Sequence, residues 1–392
     1  MFWTTATGAA RQACLAVLGL AASWAQPAAA SLPPPPPEIA GLPVVLLVDL
    51  GSGQALYARN PDRRFLPASM TKVMTAYVAF EEIRRGKLRP NQRITVRDET
   101  ARVWSGKGTS MYLMPGEQLG VTSLLHGVMT ASANDAAIVL AEGHAGSVRG
   151  WTYLMNHTAR RLGMKGSHFA TPNGWPDGGR TFVNARDLVR LASAMIRDFP
   201  TEYATYSGKT SFKWRNRVLY SHDPVTGVLA GADGIKTGYT REAGYNFLGS
   251  AVREGRRLVM VTGGAVSEAQ RTEASRTLLE WGFARWRTRP LFKAGDRIAK
   301  ARVQGGTDAA VALTSPSPIY ATLPLSGGGN IRLRVIYNGP IKAPLAKGQT
   351  VAELEIRAGS MPAGRVPLVA AQAVSKGGTM DRLVNGLKNL FS

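Results

Sequence analysis

Ser69 and Lys72 stand three residues apart, and Ser132-Ala-Asn134 and Lys236-Thr-Gly238 follow at gaps of about 60 and about 100 residues. These residue types suit nucleophilic catalysis. A serine hydroxyl is a weak nucleophile until a base takes its proton. On a helix, positions i and i+3 share a face, so Lys72 can reach the Ser69 hydroxyl. The helix N-terminus adds a dipole and free N–H groups that favour anionic intermediates. Lys72 must be neutral to act as base, and burial and a second cation, Lys236, both lower its pKa. Ser132 can relay a proton to a leaving amine, and Asn134 can hold Lys72 and a substrate amide. Lys236, Thr237 and Gly238 can run beside a substrate as an edge strand, with Lys236 and Thr237 near its carboxylate. The N–H groups of Ser69 and Tyr239 would form an oxyanion hole.

Singly the motifs are weak, since Ser-x-x-Lys alone turns up about once in a chain of this length at average composition. Their force is joint: order, gaps and local structure agree. Pro67 to Arg85 reads as a helix with apolar residues at Val73, Met74, Tyr77, Val78 and Phe80, stopped by Gly86. Helical patterns at Val121–Thr130 and Asn134–Gly143 leave Ser132 in a short link between them. Gly234–Thr240 reads as a strand carrying Lys236, followed by strands at Tyr245–Val252 and Arg257–Gly264.

The rest of the first unit must support those pieces. Pro43–Asp49 is an apolar run fit for a buried strand, and Gly51-Ser-Gly53 turns it into a hairpin with Gln54–Arg59. Further helices are expected at Val148–Leu162, Asn184–Arg197 and Ser267–Phe283, with a Pro/Gly-rich loop from His168 to Arg180. The reading is α/β or α+β, an antiparallel sheet with helices packed on it. Beyond Arg289 the texture changes to alternating segments such as Ile331–Tyr337 and Thr350–Arg357 between Gly/Pro turns, which predicts a small all-β domain. The expected division is a signal segment at 1–30, a proline-rich linker at 31–42, a catalytic domain at 43–288, a β domain at 289–374 and an amphipathic tail at 375–392.

Composition bounds the alternatives. The 392 residues carry 48 Lys+Arg against 26 Asp+Glu, a net charge of +22, which points to polyanionic surroundings. Residues 1–30 read as an export signal: Arg11 is the only charge, Cys14–Ala22 is a short apolar core, and Ala28-Ala-Ala30 suits cleavage. Its apolar run is shorter than the ~20 residues that a spanning helix needs. Cys14 is the one cysteine and would leave with the signal, so a cysteine nucleophile is excluded. Export also argues against nucleic acid as the partner and for a membrane surface or wall polymer. The five histidines show no metal-ligand spacing such as H-E-x-x-H. Pro33–Pro37 should be an extended spacer apart from any core. In Met380–Phe391 the apolar Met380, Leu383, Val384, Leu387, Leu390 and Phe391 fall at helical spacing, with Arg382 and Lys388 off that stripe. This segment could lie on an anionic membrane or dock on the protein's own core.

The motif set is that of penicillin-binding proteins and serine β-lactamases. The chain resembles the low-molecular-mass penicillin-binding proteins, the serine-type D-alanyl-D-alanine carboxypeptidase family. The resemblance lies in Leu66-Pro-Ala-Ser-Met-Thr-Lys72, Ala133-Asn-Asp-Ala136, Asp233-Gly-Ile-Lys-Thr-Gly238 with Ala243-Gly-Tyr-Asn246, and Trp281-Gly-Phe283. It is strong from Pro43 to Phe283 and weaker in the tail domain. It implies a penicillin-binding/serine β-lactamase-like fold and a reaction without a cofactor or metal. The substrate would be the terminal D-Ala-D-Ala bond of peptidoglycan stem peptides, the acyl-enzyme would form on Ser69, and β-lactams would trap that serine. It also implies that Arg271 binds the terminal carboxylate, a task suited to its two-pronged donor geometry, and that the tail associates with the membrane on the periplasmic side. Tyr239 occupies a position where relatives differ.

Three other readings use the same residues. A class A β-lactamase would carry Glu-x-x-Leu-Asn between the second and third motifs; that span holds only Glu142 and Glu202, neither in that context. A D,D-endopeptidase would share every motif. A non-catalytic wall-binding protein would have no need of Ser69, Lys72, Ser132, Asn134 and Lys236 together.

Overall fold

The computed structural model describes residues 32–326, 329–359 and 361–378. The expected signal segment and the amphipathic stripe of Met380–Phe391 lie outside the described residues.

The first domain is built on β1 (Val44–Asp49) and β2 (Gln54–Arg59), followed by α1 (Thr71–Arg84), β3 (Arg93–Thr95), α2 (Asp98–Trp104) and β4 (Gln118–Gly120). Next come α3 (Val121–Met129), α4 (Asn134–Ala145), α5 (Val148–Arg161), α6 (Ala185–Asp198) and α7 (Pro200–Tyr206). A small hairpin, β5 (Ser211–Trp214) and β6 (Arg217–Tyr220), precedes β7 (Ala232–Thr240), β8 (Gly244–Arg253), β9 (Arg256–Ala265) and α8 (Glu268–Ala284). The central sheet runs β2-β1-β9-β8-β7, all antiparallel.

Both faces of this sheet are covered, which is why β1 reads as an unbroken apolar run. Val44, Leu46 and Val48 pack with α1, α3, α4 and α6, while Val45 and Leu47 pack with Ala274, Leu278 and Leu279 of α8. The core helix α1 is buried from Thr71 to Glu82, so it lacks the polar face of a surface helix. Ser69 precedes this helix rather than belonging to it, in a 3-10 turn over Ala68–Met70. The short α2 and α7 go beyond what the sequence pattern announces, since two turns each leave no long periodic stripe.

The proline run is extended as expected (Pro36 φ −64°, ψ 141°), but it is not a free spacer. Trp281 Nε1 donates to Pro34 O at 2.8 Å, and Ile39 and Leu42 are buried with α8. Extended proline backbone keeps its carbonyls unpaired, and the buried indole N–H needs one.

The second domain contains β10 (Trp286–Phe292), β11 (Ala299–Gln304), β12 (Ala310–Thr314), β13 (Ile319–Pro324), β14 (Ile331–Ile336), β15 (Ile341–Lys342), β16 (Thr350–Ala358) and β17 (Gly364–Ala370). Strands β10 and β13 pair with each other, and the rest form a six-stranded sheet in the order β14-β16-β17-β12-β11-β15. The expected start of the tail at 375 falls within this domain's hydrogen bonding: Thr307 N donates to Ser375 O at 3.0 Å and Gly377 N to Gly305 O at 2.9 Å. The β1–β2 turn joins the domains. Thr322 Oγ1 lies 3.0 Å from Asp49 Oδ2 and 2.8 Å from Ser52 Oγ, and Arg256 Nε donates to the same Asp49 oxygen at 2.7 Å. At Gly53 (φ +64°) a Cβ would stand 2.2 Å from Arg365 O, and one at Gly364 would stand 2.2 Å from Ser52 O.

Candidate active site

The turn that presents Ser69 is held by two close backbone approaches. Ala68 has φ +49°, a left-handed conformation unusual for a residue with a Cβ. A Cβ at Gly174 would stand 1.9 Å from Ala68 O. A Cβ at Gly238 would stand 2.2 Å from Pro67 O and 3.2 Å from the nitrogens of Ser69 and Met70. Only glycine lets β7 lie against this turn.

One turn later, Lys72 is fully buried with Nζ 2.9 Å from Ser69 Oγ, 2.8 Å from Asn134 Oδ1 and 2.8 Å from Asn173 O. The last two partners can only accept hydrogen bonds, whereas the hydroxyl can also donate. A neutral amine fits this set: its two N–H bonds go to Asn134 and Asn173, and its lone pair faces the Ser69 proton. Burial, and then the nearby positive charge of Lys236, hold the Lys72 pKa well below its ordinary value, against an opposing pull from Asp135.

Ser132 is buried in the link between α3 and α4 with φ +63°. Two residues on, Asn134 opens α4, and its Nδ2 donates to Lys107 O at 3.0 Å. That carbonyl fixes the sense of the amide and leaves Oδ1 for Lys72. Asp135, fully buried, accepts from Ser110 Oγ (2.6 Å), Met111 N (3.0 Å), Leu113 N (3.1 Å) and Ala136 N (2.9 Å). It ties the 110–113 segment to the start of α4.

Lys236 and Thr237 are buried on β7. Burial and the positive charge of Arg271 push Lys236 down to about 7, with Asp223 opposing. Arg271, in the first turn of α8, is 3% exposed; Nη2 donates to Glu268 Oε1 at 2.8 Å, and its buried Nε has no hydrogen-bond partner among the described residues. The ring of Tyr239 is exposed and stacks on Tyr245 with centroids 4.1 Å apart.

Lys72 thus touches both Ser69 and Asn134, Gly238 abuts the Ser69 turn, and Lys236 and Arg271 form a cationic flank. Sequence reasoning missed Asn173, Lys107 and the role of Asp135. Asn173 and Lys107 act through backbone carbonyls, which no residue type announces. The signals available were Asn173-Gly174 in the Pro/Gly-rich loop and the carboxylate beside Asn134.

Residues 32–267 match the family model described as D-alanyl-D-alanine carboxypeptidase, and residues 286–376 match that described as penicillin-binding protein 5, C-terminal domain. The chain is 32% identical over 353 residues to the D-alanyl-D-alanine carboxypeptidase DacA of Escherichia coli K12, covering 88% of this chain and 87% of the relative. It is 33% identical over 367 residues to DacA of Haemophilus influenzae, covering 91% and 92%. Among solved structures, penicillin binding protein 5 from Haemophilus influenzae is similar at TM-score 0.70 and 30% identity, over 88% of this chain and 100% of that one. Penicillin-binding protein D2 from Listeria monocytogenes, in its ampicillin-bound form, is similar at TM-score 0.56 and 28% identity, over 62% of this chain and 97% of that one.

Proposed function

The chain belongs to the D-alanyl-D-alanine carboxypeptidase family, and we infer that it is a serine hydrolase that removes the terminal D-alanine from peptidoglycan stem peptides. The observation that carries the chemistry is the Lys72 amine between Ser69 Oγ and two obligate acceptors.

In this reading neutral Lys72 takes the Ser69 proton as Oγ attacks the carbonyl carbon of the penultimate D-alanine. The N–H groups of Ser69 and Tyr239 receive the negative charge that develops on the carbonyl oxygen. Lys236, Thr237 and Arg271 hold the terminal carboxylate, supported by the buried cationic flank and the unpartnered Arg271 Nε–H. The proton returns through Ser132 to the departing amine, the C–N bond breaks, and D-alanine leaves. Water then cleaves the ester on Ser69. A β-lactam would undergo the same attack, with the ring amide as the bond broken and the leaving amine still tethered to the acyl group.

The periplasmic location and the peripheral attachment to an anionic membrane are part of the same proposal. They are supported by the sequence of residues 1–30 and by the stripe in Met380–Phe391. Among the described residues no helix is long and apolar enough to cross a membrane.

The test pairs the purified protein with its Ser69→Ala variant. Persistent labelling by a fluorescent penicillin that depends on Ser69, with D-alanine released from a peptide ending in D-Ala-D-Ala, is expected. Rapid loss of label as the drug is consumed would favour a β-lactamase, and absence of labelling a wall-binding scaffold. Cleavage of cross-linked peptide in preference to the linear one would favour an endopeptidase.

A further inference from the structure

Lys107 does not belong to any of the three motifs, yet it joins two segments that meet over Lys72. Its Nζ lies 4.7 Å from the Trp104 ring centroid and 4.9 Å from that of Trp175. The two indoles themselves meet edge to face at 5.7 Å. Trp104 is the last residue of α2, and Trp175 follows the loop residue whose neighbour, Asn173, offers its carbonyl to Lys72. Gly108 (φ +64°) is pressed between the two partners: a Cβ there would stand 2.9 Å from Asn134 Nδ2 and 3.0 Å from the Trp175 ring.

We propose that Lys107 is a positioning residue whose ammonium, clasped between Trp104 and Trp175, holds its own carbonyl against Asn134 Nδ2 and thereby keeps Asn134 Oδ1 turned to Lys72. The proposal rests on the acyl-serine reading above. A cation lying within about 5 Å of two indole centroids is attracted by both rings, so the clasp restrains residues 104–108 and 173–175 together. Those two segments supply the carbonyls at Asn134 Nδ2 and at Lys72 Nζ. If the clasp opens, both carbonyls are free to shift, the amide of Asn134 loses the partner that fixes its sense, and water gains access to Lys72.

The experiment follows covalent labelling of Ser69 by a fluorescent penicillin in the full chain, from about pH 5 to about pH 10, up to the ordinary lysine range. The parent is compared with Lys107→Met, Lys107→Arg and Trp175→Leu. The charged groups that bear on Lys72, namely Lys236 on β7 and Asp135 on α4, are kept in all four. Lys107→Met and Trp175→Leu should label roughly tenfold more slowly, as misplacement of a catalytic group does. Their acid limb should move to higher pH because a wetter Lys72 holds its proton longer. Lys107→Arg, which keeps a cation for the two rings, should restore both rate and limb. Trp175→Leu changes no charge, so it separates the clasp from the charge of Lys107, and it approaches the clasp from the other segment. Parent-like rates and limbs in Lys107→Met and Trp175→Leu would overturn the proposal. So would slower labelling with an unmoved limb, the mark of a merely structural defect, or a limb that moves in Lys107→Met alone. Failure of the parent itself to label at Ser69 would instead overturn the functional reading beneath it.

Discussion

Gly238 lies so close to Ser69 that a Cβ at 238 would stand 3.2 Å from the Ser69 nitrogen, with Pro67 O nearer still at 2.2 Å. Both atoms are backbone, so neither can rotate away. Gly238→Ala should therefore push β7 off the Ser69 turn. We expect acylation by a fluorescent penicillin to fall on the order of a hundredfold, since a displacement of about 1 Å at a reacting group costs that much. Stopped-flow or gel-based labelling would measure it, and an acylation rate within twofold of the parent would refute the close approach.

In the proposed reaction the two buried lysines would set the pH dependence. Below its lowered pKa Lys72 is charged and cannot take the Ser69 proton, so the rate rises with pH on the acid side. Lys236 loses its charge through about pH 7, which weakens its hold on a carboxylate. kcat/KM for a D-Ala-D-Ala peptide should thus bend down above about 7. In kcat that limb should lie at higher pH, because a bound carboxylate stabilises the charged lysine. Steady-state profiles would show this, and identical limbs in kcat and kcat/KM would contradict it.

The same lysines oppose folding at neutral pH. Lys236 titrates at about 7 when folded and near 10.5 when unfolded. Between those values the unfolded chain binds more protons, so stability rises with pH across that window. Lys236→Met should melt at a higher temperature than the parent at pH 7, with the gap narrowing as pH approaches 10, while labelling is lost. Calorimetry at the two pH values would settle the sign.

Arg271 should matter for the carboxylate rather than for the acyl transfer itself. Its pair of N–H donors is worth about 1.5–3 kcal/mol against a charged acceptor, so Arg271→Ala should cost roughly 10- to 100-fold in kcat/KM for a free-acid substrate. A C-terminal amide analogue should lose much less. Equal losses for the two substrates would remove Arg271 from carboxylate recognition.

Asp135 has a structural task that its neighbours' chemistry conceals. In Asp135→Asn one oxygen becomes an amide nitrogen, which then faces either Ser110 Oγ and Leu113 N or Met111 N and Ala136 N. Leaving buried donors unmet costs about 1–3 kcal/mol, and the charge-assisted bonds are lost as well. A stability loss of about 3 kcal/mol by denaturant titration is expected, with the 110–113 segment exchanging amide hydrogens faster.

What could be read from the sequence divides by kind of signal. The spacing of Ser69 and Lys72 foretells a contact because three residues make one turn, even though Ser69 stands in a 3-10 turn before the α-helix, and the nitrogen and oxygen are 2.9 Å apart. The covered sheet is legible in Val44–Asp49 because burial on both faces leaves no polar alternation. Asn173 is not legible: the atom that meets Lys72 is its backbone carbonyl, placed there by the path of a loop. The docked course of Pro33–Pro37 is hidden for a related reason, since composition sets its extended shape but not what it lies on. The β1–β2 turn reads as an ordinary Gly-Ser-Gly hairpin because its partner, Arg365, is distant in sequence.

That turn also limits how the two domains can swing against each other. Gly53 meets the Arg365 carbonyl and Gly364 meets the Ser52 carbonyl without a side chain between them. Backbone already in contact resists closing of the seam, and the bonds of Thr322 to Asp49 and Ser52 resist its opening. The turn itself is anchored by β1, which is hydrogen-bonded on both edges, to β2 and to β9. The seam therefore lies toward the β2 edge of the sheet, with β9 and β8 between β1 and the strand that abuts Ser69.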